Sequence, residues 1–259
     1  MNGMWRAVLE SAAVADAEMR KLRRDPTELL SRAVQPVLWL GVFGQVFSQV
    51  RGIATGSLRY LDFMAPGILA QSILFSAIFY GIAIIWERDL GIVHKLLVTP
   101  AHRSALVLGK ALAAGVRGLV QAVVVYLVAI TLKVDIRWEI LPMLTVAAAV
   151  FAGSCIFSTF SLVIACIVKT RERFMGIGQV LTMPLFFASN AIYPLDLMPP
   201  WLQIIAMFNP LTYLVDVLRG AMIIGGSSVH AVGASFGIML GVFATLLALA
   251  ARLYPGLAR

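Results

Sequence analysis

The sequence has little charge: Asp, Glu, Lys and Arg make up 13% of its 259 residues, whereas hydrophobic residues make up 60%. A soluble domain has about 25% charged and roughly 45–50% apolar residues. A chain with so few polar groups has too little polar surface for a soluble globular enzyme, and it is too hydrophobic to be intrinsically disordered. The composition therefore predicts a polytopic membrane protein.

A phosphate-binding loop is also missing. The loop of nucleotide-hydrolysing enzymes needs Gly-x-x-x-x-Gly-Lys followed by a hydroxyl residue. The nearest match, Gly109-Lys110, has Ser104 in place of the first glycine and Ala111 in place of the hydroxyl residue. We therefore expect no ATPase motif in this chain and do not predict an enzyme.

Metal ligands and paired thiols are scarce. The three histidines, at positions 94, 102 and 230, lie in predicted connections, and none has metal-ligand spacing to a cysteine or carboxylate. Cys155 and Cys166 are separated on one predicted helix by about 16 Å, which is too far for a disulfide. We expect two buried thiols, no metal site and no cofactor in this chain.

Long apolar runs are abundant. Six stretches can cross about 30 Å of hydrocarbon as helices: 33–50, 63–86, 111–132, 141–168, 174–192 and 232–251. They are continuously apolar, unlike the alternating strands of about 10 residues in a membrane β-barrel. We predict an all-α polytopic membrane protein with six transmembrane helices.

The basic residues predict the orientation. Most of the 21 lysines and arginines fall in segments 1–32, 87–110, 169–173 and 252–259. The positive-inside rule places these segments, and both termini, in the cytoplasm. Segment 1–32 lacks the apolar region of a cleavable signal peptide. Anionic lipid headgroups explain the net charge of +8, and no nucleic acid partner is expected.

The N-terminal residues resemble a surface helix. Between residues 4 and 24, apolar residues recur every three to four positions opposite a mainly charged face. This pattern predicts an amphipathic helix in the membrane interface, with a helix packed on another subunit as the alternative. We predict one transmembrane domain over 1–259, divided into the interface helix (1–32), spans one to five (33–192), an outer segment (193–231) and span six with a cytoplasmic tail (232–259).

A short helix is predicted between spans two and three. Apolar residues from Leu90 to Leu97 keep helical spacing, and Gly91 and Pro100 bound the segment. A short helix held between two spans can move as a lever. Its apolar face predicts either a docking surface for a cytoplasmic protein or a helix resting on the membrane.

The outer segment 193–231 contains four prolines and an apolar stretch, 211–224, that is too short to cross the membrane. Such a stretch is typical of a re-entrant or interfacial element. Asp216 and Arg219 are three residues apart and can pair on one helix face.

Charges and glycines within the spans give further signals. Arg117, about two turns into span three, predicts either a cavity-lining or gate residue, or a snorkelling or structurally paired arginine. The span centres lack Asp and Glu, which weakens the case for a proton-coupled carrier. Gly233, Gly237 and Gly241 form a small-residue face on span six, for which packing within this chain is favoured over a dimer interface.

Two regions together resemble the membrane subunits of type-2 ABC exporters, nearest to the daunorubicin-resistance and nodulation-factor permeases. The cytoplasmic motif is Glu87-Arg-Asp-x-Gly91, then Leu96-Leu-Val-Thr-Pro100 and Gly109-Lys110. The outer motif is Asn209-Pro-Leu-Thr-Tyr213 with Asp216 and Arg219-Gly220. Pro36 and Ala65-Pro-Gly67 extend the likeness over nearly the whole chain.

The resemblance implies a fold and an assembly. It implies an N-terminal interface helix, a coupling helix at 91–99, an outer gate at 195–207 and re-entrant outer helices before span six. It also implies two permease chains, expected to form a homodimer, and two copies of a separate ATPase that binds ATP and Mg. The expected location is the bacterial plasma (inner) membrane. His94 stands where many relatives carry Glu.

The site residues follow from the same resemblance. Coupling to the ATPase is expected from Glu87, Arg88, Gly91, Ile92, His94, Lys95, Leu96, Leu97, Thr99, Pro100 and Arg103. The outer gate is expected from Pro194, Leu195, Met198, Pro199, Trp201, Leu202, Asn209 and Pro210. The pathway is expected from Phe75, Phe79, Arg117, Phe186 and Phe187, although the four phenylalanines suit helix packing or lipid contact equally well. No catalytic residue is expected.

The resulting hypothesis is the permease subunit of an ATP-driven exporter. It would move a hydrophobic or amphipathic compound, such as a drug, lipid or glycolipid, out of the cytoplasm. The alternatives are an ion-gradient-driven secondary transporter, an ABC exporter of polysaccharide, and a membrane scaffold without transport activity. The coupling-type segment favours the first.

Overall fold

The computed structural model describes residues 9, 11–16, 18, 20, 34–48, 58–93, 95, 102–168 and 170–258. Residues 11–16 are helical, as are Leu9, Glu18 and Arg20. The further helices are α1 (Val34–Ser48), α2 (Tyr60–Asp89), α3 (Arg103–Thr131), α4 (Ile140–Ile167), α5 (Arg171–Phe187), α6 (Pro200–Phe208), α7 (Pro210–Met222) and α8 (Val232–Leu253). In this part of the chain, β pairing is limited to one antiparallel bridge, between Ile136 and Ile223.

The helices confirm an all-α polytopic membrane fold. By length and composition, α2, α3, α4 and α8 can each cross a membrane. Helices α6 and α7 pass the same test as a pair but meet at an angle of 85°, because Pro210 lacks the amide hydrogen that a continuous helix needs there. Helix α5 has 17 residues, and α1 is also short. The count of six crossings stays a prediction.

Helix α4 lies at the centre of the bundle. It packs against α2, α3, α7 and α8, and small residues allow close approach on two sides. Gly115 of α3 lies against the ring of Phe151, and Gly153 lies against Leu214 of α7. Helix α4 therefore forms the core around which the other helices are placed.

Segments predicted to share a side of the membrane meet at the same end of the bundle. At the predicted outer end, Arg59 Nε lies 2.8 Å from Asp62 Oδ2, and Arg59 Nη2 lies 3.2 Å from Asp135 Oδ2. The Tyr60 hydroxyl there donates to the carbonyl of Ile192 at 3.3 Å. At the other end lie the end of α2, the starts of α3 and α5, and residues 11–16 and 18. The fold thus brings the two candidate regions to opposite ends.

The glycine face of α8 corrects one prediction. No described atom lies within 4 Å of a β-carbon built at Gly233, Gly237 or Gly241. Only 11% of the apolar window of α8 is buried. In the part of the chain that the structure describes, the interpretation of this face as an intrachain packing surface is therefore wrong.

Candidate functional site

The end of α2 and the turn after it carry the predicted coupling residues. Glu87 and Arg88 lie in the last turn of α2. Gly91 has a φ of +70°, which glycine adopts without strain, and its amide donates to the Arg88 carbonyl at 2.9 Å. Residues 92, 93 and 95 are helical, and the Lys95 amide donates to the Gly91 carbonyl at 3.3 Å. A second helical segment therefore begins directly after Gly91.

This second segment has two different faces. Val93 is fully buried, whereas Ile92 and Lys95 are exposed. Arg103 is the exposed first residue of α3. The other predicted coupling residues lie outside the described residues: His94, Leu96, Leu97, Thr99 and Pro100.

An exposed contact joins the end of α2 to the start of α5. Arg171 Nη2 lies 2.7 Å from Asp89 Oδ2, and Arg88 Nη2 lies 2.7 Å from Asp89 Oδ1. The guanidinium carbon of Arg171 lies 3.7 Å from the centroid of the Trp86 ring, in a cation–π contact. The hydrogen bonds from Arg88 and Arg171 hold the pKa of Asp89 below its usual value. The Asp89 carboxylate is therefore charged at neutral pH.

Four buried charged side chains lie at the same end, and we call them the ionic cluster: Glu18, Glu87, Lys110 and Arg117. Lys110 Nζ lies 2.6 Å from Glu87 Oε2 and 3.2 Å from Glu18 Oε1. Arg117 Nη2 lies 3.2 Å from Glu18 Oε2. Each of the four side chains is at most 11% exposed. The structure thus brings a predicted coupling residue, Glu87, and a predicted pathway residue, Arg117, into one cluster.

Tyr80 supports the cluster from α2. Its hydroxyl donates to the Lys110 carbonyl at 3.0 Å, and its ring centroid lies 5.3 Å from the guanidinium carbon of Arg117. Tyr80, Arg117, Ser154 and Ser158 also line a cavity of about 20 Å³, which has room for about one water molecule. Arg117 is therefore structurally paired and also lines a small cavity, so its surroundings contain features of both interpretations.

At the opposite end, the predicted outer-gate residues surround the bend between α6 and α7. Leu195–Leu197 form one 3₁₀ turn, and α6 begins at Pro200. Met198 is buried, whereas Trp201 is 64% exposed. Asn209 caps α7 by accepting from the Leu211 amide at 3.0 Å, and Pro210 occupies the first position of α7. The remaining predicted gate residues lie on the same segment: Pro194, Leu195, Pro199 and Leu202.

Two side chains of the bent pair hold the end of α5. Asn209 Nδ2 donates to the carbonyls of Leu185 at 2.6 Å and Ala188 at 3.0 Å. Arg219 Nη2 donates to the carbonyl of Asn190 at 2.5 Å. The last carbonyls of a helix have no partner within the helix; Asn209 supplies one for Leu185, and Arg219 binds the turn that follows α5.

Asp216 and Arg219 have separate partners, which corrects the pair expected from their spacing. Asp216 accepts from the backbone amides of Val229 at 2.7 Å and His230 at 2.9 Å. The guanidinium carbon of Arg219 lies 3.7 Å from the centroid of the Phe63 ring. Asp216 thus fixes the segment before α8, and Arg219 fixes α7 to α2.

An open groove of about 460 Å³ lies between α1 and α2. Phe75 and Phe79 of α2 line it together with Trp39 and Phe43 of α1. The two α1 rings stack at 4.7 Å within a π-helical turn, Trp39–Gly44. The other lining residues are Val34, Gln35, Leu38, Ser72 and Ser76.

Trp39 also connects this groove to α5. The buried ring of Phe186 lies 5.7 Å from the Trp39 ring in an edge-to-face arrangement, and Phe187, which is partly exposed, lies 5.4 Å from Phe186. Phe75, Phe79 and Phe186 therefore lie next to α1, and Phe187 contacts the Phe186 ring. Arg117 is not among the residues that line the groove.

Glu18, Lys110 and Trp39 are not among the predicted site residues, although Lys110 belongs to the cytoplasmic motif. A local signal existed for Glu18, because it lies three residues after Ala15 and four before Leu22, on the apolar side of the N-terminal helix. A carboxylate in that position needs a partner when the face is buried. No local pattern identifies Lys110 as that partner.

Known proteins resemble this chain over most of its length. Residues 11–223 match the ABC-2 type transporter family. The protein ycf38 of Cyanophora paradoxa, whose name describes a transport permease, is 31% identical over 204 residues, 77% of this chain and 69% of its own. The daunorubicin resistance ABC transporter permease protein DrrB1 of Streptomyces coeruleorubidus is 24% identical over 258 residues, 98% and 85% of the two chains. Nodulation protein J of Rhizobium leguminosarum bv. trifolii is 24% identical over 197 residues, which cover 75% of this chain and 74% of that protein.

Proposed function

The chain belongs to the ABC-2 type transporter family and is a multi-pass membrane subunit of an ABC transporter, and we propose that it exports a hydrophobic or amphipathic compound. The cargo would be a drug, lipid or glycolipid that leaves the cytoplasm. A separate ATPase would supply the energy, since this chain contains no phosphate-binding loop.

The observation that carries the proposal is the groove between α1 and α2. Its volume of about 460 Å³ lies within the range of about 300–1,000 Å³ for sites that hold drug-sized molecules. Four aromatic rings line it, and Gln35, Ser72 and Ser76 add a few polar groups. This combination suits a molecule with a large apolar part and a small polar part.

The segment after Gly91 is the proposed binding surface for the ATPase. Its exposed residues Ile92 and Lys95 project from a short helix that is anchored by the buried Val93. ATP and Mg would bind to the ATPase and not to this chain. Binding of ATP favours the closed ATPase dimer, and the difference in affinity between its two states would drive the change in access.

The proposed assembly contains two permease chains, as a homodimer, and two ATPase copies. The open glycine face of α8 supports contact with a second membrane helix. The single permease domain spans 1–259, with both termini in the cytoplasm, and the proposed location is the bacterial plasma membrane. Relatives from Streptomyces and Rhizobium support a bacterial source, and the distribution of lysine and arginine supports the orientation.

Reconstitution tests the proposal. The chain would be purified with the ATPase encoded by the neighbouring gene and placed in vesicles that contain daunorubicin or a fluorescent phospholipid as probes. We expect ATP-dependent movement of at least one probe. Movement that needs an ion gradient but no ATPase would overturn the proposal in favour of a secondary transporter, and a bound ATPase without movement of either probe would overturn the cargo class.

Variants locate the two proposed surfaces. Phe75→Ala with Phe79→Ala should reduce transport while the ATPase stays bound; Phe236→Ala, in an apolar pocket between α4 and α8, is the control. Ile92→Asp with Lys95→Asp should reduce co-purification of the ATPase. Arg252→Asp, an exposed cation on the same predicted side, should leave co-purification unchanged.

A further inference from the structure

We propose that the ionic cluster is a positioning device that passes movement of the segment after Gly91 to α3 and to the N-terminal helix. The inference rests on the proposed function, because it names the side chains through which an ATPase would act on the membrane helices. Its four members are positioning residues: they act through the helices that they join and are assigned no contact with cargo or ATP.

The cluster joins three distant parts of the chain. Glu18 comes from the N-terminal helix, Glu87 from the last turn of α2, and Lys110 and Arg117 from the first half of α3. Because each side chain is at most 11% exposed, separating the charges would leave them unpaired in a medium of low dielectric constant. Moving the whole cluster as a unit avoids that cost. The three parts are therefore expected to move together.

A second contact fixes the direction of the N-terminal helix. The Ser11 hydroxyl donates to the carbonyl of Ala105 at 3.1 Å. Close by, a β-carbon at position 109 would lie 2.6 Å from the Ser11 carbonyl oxygen, so Gly109 permits this close approach. Ser11 and Glu18 are about 10 Å apart along a helix. A helix held at two such points cannot pivot about either one, and it follows α3.

Two sets of contacts connect the end of α2, next to Gly91, to other helices, and the ionic cluster is the stronger of the two. Glu87 lies four residues before Gly91, and its contact with Lys110 is the shortest in the cluster, at 2.6 Å. The contact from Asp89 to α5 is partly exposed on both sides, 35% and 38%. Exposed ion pairs contribute little and exchange readily with water. We therefore expect a displacement of the turn at Gly91 to move α3 more than it moves α5.

The first test measures coupling in reconstituted vesicles with the partner ATPase. The variants are Glu18→Gln, and Glu87→Gln combined with Lys110→Met, which neutralises both members of a pair at similar volume and leaves no lone charge from it. The control is Asp16→Asn, which removes an exposed ion pair with Arg20 on the same helix. The readout is the amount of daunorubicin or labelled phospholipid moved per ATP hydrolysed.

We expect this ratio to fall about tenfold in both cluster variants, as for loss of one charge-assisted contact. The ATPase should remain bound in Glu18→Gln, which changes no predicted coupling residue, and the Asp16→Asn control should keep the wild-type ratio. A purely structural role would reduce the amount of folded complex without changing the ratio. Wild-type ratios in both cluster variants would overturn the proposal.

A second measurement does not depend on transport. Spin labels would be placed at positions 13 and 123, which are exposed on the N-terminal helix and α3, after Cys155 and Cys166 have been replaced by alanine. We expect a narrow distance distribution that broadens in Glu18→Gln and not in Asp16→Asn. If the wild type moves no probe, the proposed function fails and this measurement alone decides. If the distance distribution did not broaden in Glu18→Gln, the proposed role of the ionic cluster in positioning the N-terminal helix against α3 would be overturned.

Discussion

Gly67 of α2 lies directly against the backbone of Ala191, in the turn that follows α5, and a β-carbon at position 67 would overlap the Ala191 carbonyl group. This contact brings the outer part of α2 to the same turn that Arg219 holds through the carbonyl of Asn190. It gives a physical reason for the glycine in the Ala65-Pro-Gly67 motif, because backbone atoms cannot move aside as a flexible side chain can.

Gly67→Ala should therefore destabilise the outer end of the bundle. The expected cost is about 1–3 kcal/mol, typical of overpacking, and thermal unfolding in detergent would measure it. Gly176→Ala is the matched control, since no described atom lies within 4 Å of a β-carbon there. That control should be neutral or stabilising by about 0.5–1 kcal/mol. Equal stability of the two variants would contradict the close contact.

Asn209 gives a prediction that separates its two roles. Its side-chain oxygen caps α7, whereas its nitrogen donates to Leu185 and Ala188 at the end of α5. If capping dominated, Asn209→Asp would be harmless, because Asp caps as well as Asn. We expect Asn209→Asp to be at least as destabilising as Asn209→Ala, by about 1–3 kcal/mol, because a carboxylate would face two carbonyl oxygens. Unfolding of both variants, compared with wild type, decides between the roles.

The sequence predicted the long helices well and their ends less well. Hydrophobic length located α2, α3, α4 and α8, because crossing hydrocarbon requires long apolar runs. The prediction began span three at 111, yet α3 begins at Arg103. The residues left out of the predicted span include Lys110. In a hydropathy pattern, its charge indicates the end of a membrane span. In the fold, that charge is buried because Glu18 and Glu87 pair with it.

The end of span five was missed for a related reason. The prediction ended the span at 192, whereas α5 ends at Phe187 and turns follow. The carbonyls of Ala188 and Asn190 in these turns accept from Asn209 and Arg219, which come from a later segment. Contacts across 21 and 29 residues leave no trace in a local pattern.

Only part of the candidate site could be predicted from the sequence, because some of its contacts join residues that are far apart in the chain. The turn at Gly91 and the bend at Asn209 are local, and glycine and proline mark them in the sequence. The partner of Arg117 is Glu18, 99 residues earlier, and the sequence could only leave open whether Arg117 is paired. Two predicted pathway residues, Phe75 and Phe79, line the groove, whereas Trp39 and Phe43, which line it from another helix, were not predicted.

Asp216 supports a prediction about the segment before α8. Its two carboxylate oxygens accept separately from the amides of Val229 and His230. Asp216→Asn keeps the shape but retains one accepting oxygen, so one of these partly exposed amides loses its partner. We expect a loss of about 0.5–1.5 kcal/mol and faster hydrogen exchange at residues 229 and 230. Exchange rates equal to those of wild type would contradict this role.

The exposed contact between Asp89 and Arg171 should depend on pH. Hydrogen bonds from Arg88 and Arg171 hold the pKa of Asp89 below its usual value of about 4. A carboxylate whose pKa is lower in the folded state stabilises the fold above its unfolded pKa, and this contribution is lost as the pH falls through the folded pKa. Because both side chains are partly exposed, the contribution is about 1 kcal/mol or less.

Asp89→Asn should therefore lower the unfolding temperature slightly at pH 7, and the difference from wild type should shrink as the pH falls below about 4. Added salt should also reduce it, because exposed charges are screened. Arg171→Lys is the companion variant: it keeps a positive charge near Asp89 but loses the planar stacking on Trp86. Its effect should persist at low pH, since a cation–π contact does not need the carboxylate. A pH-independent effect of Asp89→Asn would show that side-chain shape and not charge connects α2 to α5.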